Sequence, residues 1–265
     1  MNSVKIKIGK RNYEYNIPET FAEMSQQQML RATEYLLNKD GADSDKYFCK
    51  YTNIKYDIWK KLDDYYKYVI KELAEPLTKQ FDDIDHQMLD SITLTNDNGN
   101  KEQFIGYQSA FANTSWIEFV YADQFIAEGK FHEMAATLYR QQRKDYDGET
   151  DRRIPFTIYG TENRLQYFKN IDNTTLFLLV SNYITMRKKY IEERYPHVFV
   201  VDATVKKNNS GKFSWLSVHR SILSGDSFFE EEKVNNANVH TVLNRLETVI
   251  KQNEELERER RKHNG

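Results

Sequence analysis

Cysteine is almost missing from this chain. The single one, Cys49, excludes an internal disulfide, and its setting in "DKYFCKY" marks a small buried hydrophobe rather than a reactive thiol. Proline and glycine are scarce too, at four and ten in 265 residues, which leaves little material for long flexible linkers. The glycines stand singly, so no phosphate-cradling loop can be assembled from them. No apolar run reaches the ~18 residues of a membrane-crossing helix, and the opening "NSVKIKIGK" after Met1 is not expected to be a signal peptide. Charge of one sign is lacking as well. A formal net charge of −2 gives no global field toward nucleic acid or an anionic membrane. The expectation is a protein made and used in a cytoplasm, or packaged from one.

Catalytic patterns are equally thin. The six histidines are isolated in sequence, and no Cys/His spacing matches a zinc site. His132-Glu133 would begin a zinc-protease helix only with a second histidine at position 136, where Ala136 stands. There is no Gly-x-Ser-x-Gly elbow. "DYDGETD" lacks the spacing and final glutamate of a calcium loop, and Asp202, at the end of "VFVVD", has no identifiable partner. The mixed charges of "RQQRKDYDGETDRR" predict a solvated loop, and with the "RERRKH" end they are the only nucleic-acid candidates. These residues therefore predict a non-enzymatic chain with no catalytic residue, no cofactor and no metal.

What the chain does have is aromatic mass, 14% of its residues, enough to fill a core despite 29% charge. "VKIKIGKRNYEYNI" alternates on both sides of a glycine turn and predicts a β-hairpin over residues 1–18. Asn-Asp-Asn-Gly predicts a second hairpin within 92–107, and "HVFVVDATV" a short strand or extended segment. Helical periodicity dominates elsewhere. Ser25 with Gln28, and Ser115 with Glu118, read as capping boxes, and Gly129 sits where a helix should end. A helical region over 45–73 is expected to stop at Pro76. "NTTLFLLVSNYITMRKKYIEERYP" predicts a long central helix capped by Asn173 or Thr174. The apolar faces place Trp116, Phe119, Leu138, Leu176, Phe177, Val180, Tyr183, Trp215 and Leu246 in the core. The fold class is mainly α with a minor β component: a helical bundle preceded by an N-terminal hairpin and followed by a long amphipathic helix. The organisation read from this is a domain over 1–235 and a charged, amphipathic helix over 236–265.

That last segment carries the candidate assembly interface. Val242, Leu246, Val249, Asn253 and Leu256 recur at alternating spacings of three and four, a short coiled-coil seam with Asn253 as its polar interruption. Leu243 and Ile250 widen the stripe, so that one side can lie on the chain's own domain while the other meets a partner.

The order of motifs is also informative. "IPETFAEMSQQQML", "SWIEFVYADQFIA" with "FHEMAATLYR", "RIPF", "EERYPHVF", "FSWLSVHRSILSGDSF" and "NVHTVLNRLETVIKQNEE" follow one another from about Ile17 to Glu255. This succession resembles a family encoded in the structural-gene regions of tailed bacteriophages and prophages of Bacteroidetes hosts, including crAss-like phages. The resemblance implies a virion protein (neck, tail, baseplate or packaged internal component) with other phage structural proteins as partners, or a tail-assembly chaperone absent from the mature particle. It brings no catalytic residues.

Overall fold

The computed structural model describes residues 2–20, 23–79, 86–148, 151–199, 215–223 and 228–263. The chain is mainly helical with a minor β component. It divides into two compact units, Met1–Ile84 with Asp172–Thr185, and Asp85–Ile171 with Met186–Gly265.

The first unit opens with β1 (Asn2–Ile8) and β2 (Arg11–Ile17), paired antiparallel with Val4 opposite Tyr15 and Ile6 opposite Tyr13. Gly9 takes the left-handed backbone that this tight turn needs. Four helices follow: α1 (Gln26–Asn38), α2 (Ser44–Thr52), α3 (Tyr56–Trp59) and α4 (Asp64–Lys79). The Ser25–Gln28 capping box forms at the start of α1. Phe48, Tyr51 and Trp59 are fully enclosed; Phe48 meets Tyr35 edge-on and tilts against Trp59. Cys49 is buried beside them, and burial pushes its thiol up to about 12, so it packs as a hydrophobe. Pro76 does not end α4, which continues to Lys79. A proline near a helix end removes one N–H bond and strains one turn, a cost that the last turn can absorb.

The second unit begins with β3 (Ser91–Thr95) and β4 (Lys101–Ile105), the second hairpin. Asn96 organises its turn by accepting from the backbone N–H groups of Asn98 and Asn100. Helices α5 (Trp116–Ala127) and α6 (Phe131–Leu138) follow, broken at Gly129, which is left-handed as the C-terminal signal requires. Then come α7 (Ile158–Phe168) and α8 (Asn173–Arg187), whose first part belongs to the first unit. Asp172, rather than Asn173 or Thr174, caps α8 by accepting from the Thr175 N–H. A π-helical turn, Lys188–Glu192, ends it, and α9 (Trp215–Leu223), α10 (Phe228–Asn236) and α11 (Val239–His263) complete the unit. Most of the segment expected as a strand, including Asp202, lies outside the described residues.

Trp116, Phe119, Leu138, Tyr183 and Trp215 are buried as expected, but the inner face of α8 is not the predicted one. Leu178, Leu179, Asn182, Tyr183 and Met186 are buried, Leu176 and Val180 are half-buried, and Phe177 is 43% exposed. "LFLLV" is apolar all round, so its periodicity names no face, and tertiary packing decides the rotation. Leu246 is half-buried for a similar reason: α11 turns Val239, Leu243 and Glu247 inward instead.

Candidate functional site

The 140–153 segment is the largest departure from expectation. It is not a solvated loop at its ends: Arg140 and Arg153 are 2% and 1% exposed. Two devices hold them in place. Arg140 bridges Ile105 of β4 through both backbone groups, at 2.7 and 3.0 Å. Gln142 pairs with Arg153, turning the chain back on itself.

Between the two arginines sits Glu118, fully buried on the first turn of α5. Arg153 Nη1 donates to Glu118 Oε1 at 2.6 Å, and Arg140 Nη2 donates to Oε2 at 2.9 Å. The same carboxylate closes the capping box by accepting from the Ser115 N–H, so both of its oxygens are occupied. Asp151 completes the cluster against Arg153 Nε at 3.0 Å and Arg140 Nη2 at 3.2 Å. Arg153 also donates to the carbonyls of Leu138 and Asn113, which saturates its five N–H groups. Arg164, buried on α7, donates to the Ala136 carbonyl at 2.7 Å. Burial brings Arg140 and Arg164 down to about 10, so both stay charged at neutral pH.

The loop before α5 is pinned from the other side. Ala110 and Phe111 both take left-handed backbone, strained for residues with side chains. His240 Nε2 lies 2.6 Å from the Ala110 carbonyl, Asn238 Nδ2 donates to that of Ala112, and Val239 N–H to that of Thr114. A cleft of about 370 Å³ opens here, lined in part by Thr114, Ser115, Arg140, Arg143 and Asn238. A neighbouring cleft of about 510 Å³ is lined in part by Tyr121, Phe156, His219, Arg220 and Glu231. Trp116 Nε1 donates to His219 Nδ1 at 3.0 Å, so the imidazole proton sits on Nε2. Burial holds His219 below its ordinary value, in its neutral form.

Chemically this is a clamp. Every acid of the cluster is tied to a guanidinium, and the bonds fasten β4, α5, the 140–153 segment and the start of α11 into one body. Among the described residues, no group of three His, Cys, Asp or Glu side chains is placed to hold a metal, and no helix is long and apolar enough to cross a membrane. The clamp escaped the sequence reading because its partners lie 22 and 35 residues apart. The one available signal was Ser115-x-x-Glu118, which discloses the cap and not the ion cluster.

The predicted interface residues lie together on α11 but differ in exposure. Val242 and Leu246 are half-buried, Val249 and Leu256 are 46% and 52% exposed, and Asn253 is exposed. The adjoining face is anchored by Val239 and Leu243, and by Glu247, whose Oε2 accepts from the Val198 N–H. Beyond Glu254 the helix is exposed all round to His263. Neither a protein-family model, nor a curated protein, nor a solved structure matches the chain.

Proposed function

We propose that the protein is a non-enzymatic structural component of a tailed-bacteriophage particle and acts through contacts with other phage structural proteins. Supporting this reading is the outward face of α11, where Val249 and Leu256 continue an apolar stripe past Glu247, the last residue of the helix that is buried. A row of exposed apolar side chains along a helix of ~37 Å suits a docking surface. Exposed aromatics on α4 agree with it: Tyr65, Tyr66 and Tyr68 are 72%, 57% and 61% exposed. Tyrosine suits surfaces that become covered on assembly. The order of sequence motifs supplies the phage context, with assembly in the host cytoplasm and residence in the virion.

Mass spectrometry of purified particles, from a host carrying this gene in its phage, tests the proposal. A stoichiometric copy number per particle is the expected result. Absence from mature particles, with the protein present in infected cells, overturns it in favour of a tail-assembly chaperone.

A further inference from the structure

We infer that α11 pairs with α11 of a second copy, antiparallel, in a register set by Arg245 and Glu259. The inference rests on the assembly reading of the α11 face and adds the occupant and the geometry.

The stripe of α11, half-buried at Val242 and Leu246 and exposed from Val249 on, repeats at three and four: Val242, Leu246, Val249, Asn253, Leu256, and then Arg260. Placing Leu246 of one helix opposite Leu256 of the second copy puts Val249 opposite the second copy's Asn253. Each contact occurs twice by symmetry. In that register Arg245 of one helix lies beside Glu259 of the other, on the same flank of the seam. Both side chains are exposed, and among the described residues neither forms an ion pair within the chain. Of the other charges on α11, Lys251 pairs with Glu247 and Arg261 with Glu257, whereas Arg258 and Lys262 lie away from the seam and its flanks. Arg245 and Glu259 are thus opposite charges two heptads apart with no use inside the monomer, and antiparallel pairing joins both sets at once. A parallel pair would stack Arg260 on its own copy at a seam position and leave Arg245 far from Glu259. Flanking charges of this kind set partner and orientation in helix pairs. Asn253 against Val249 puts a polar group in each inner layer, which keeps the association reversible. The exposed turns from Glu255 to His263, unsupported in the monomer, gain a neighbour.

Sedimentation of the full chain at low salt across a range of concentrations is the test. A reversible dimer is expected. Arg245→Glu alone should weaken it about fivefold or more, Glu259→Arg alone likewise, and the two together should restore it to within about twofold. Both positions are exposed, so the thermal midpoint should not move at concentrations where the chain is monomeric. A chain that stays monomeric at every concentration overturns the inference, while leaving the particle-composition test of the functional proposal untouched. A dimer indifferent to either single swap, or one weakened further by the double swap, overturns the antiparallel register.

Discussion

Glu118 serves two structures with one carboxylate, and the two can be separated. As the last member of a capping box it satisfies a backbone donor, a role that costs about 1 kcal/mol when Ser115→Ala removes its counterpart. As the acid between Arg140 and Arg153 it neutralises buried charge, and Glu118→Gln should cost about 3–5 kcal/mol because two guanidiniums are left facing Asp151 alone. Thermal or denaturant unfolding of the two variants measures the difference; equal losses would mean that the cluster is not a clamp. Trp116 is the other residue on which the second unit depends, and Trp116→Ala should cost about 3–5 kcal/mol. Its acceptor, His219, makes stability depend on pH. Burial lowers the folded value, so the unfolded chain takes up the proton first. The contribution of His219 is complete above the ordinary histidine value of about 6.5 and falls as pH drops below it. His240, also held down by burial, acts in the same direction. The loss of midpoint from about pH 7 to pH 5 should therefore shrink in His219→Gln without vanishing. An unchanged pH slope would place His219 in solvent.

Elements were legible where one local signal decides them. Alternation with Gly9 gave the first hairpin, Asn96 and its neighbours the second, and Ser25, Ser115 and Gly129 the helix limits. Rotation was not legible. The apolar ring of α8 offers every face to the core, and the seam of α11 and its inner face overlap along the helix, so only packing partners distant in sequence could choose. The same holds for the candidate site, whose arginines were visible as charges and not as partners of Glu118. The choice that α11 makes has a measurable consequence. Its first turns are core: Trp116 N–H donates to the Ala237 carbonyl at 2.7 Å, and Val239 and Leu243 are fully buried. Removing residues 236–265 should therefore unfold the second unit. Removing 255–265 deletes only exposed turns and Leu256, and should leave a cooperative melt while abolishing self-association. Circular dichroism with sedimentation distinguishes the cases. A folded 1–235 chain would show that the start of α11 is dispensable.

At the scale of the molecule, internal and external interactions divide by chemistry. Inside the second unit, charge is buried and paired, and buried aromatic rings fill both units, Phe48, Tyr51 and Trp59 in the first and Trp116, Phe119 and Trp215 in the second. Outside, apolar and aromatic side chains stand exposed beside the charges: Val249 and Leu256 on α11, Tyr65, Tyr66 and Tyr68 on α4, Phe177 and Ile184 on α8. A free-standing protein gains little from these exposures, since each adds to the tendency to associate without adding to the core. Under the proposed particle role, they are the surfaces that assembly would cover. Replacing Tyr65 and Tyr68 together by serine tests this at α4. Both rings are more than half exposed, so unfolding free energy should change by no more than ~0.5 kcal/mol per site. Incorporation into particles, measured as copies per particle by mass spectrometry against the unaltered protein, should fall. Full incorporation of a stably folded double variant would remove α4 from the assembly surface and leave α11 to account for docking alone.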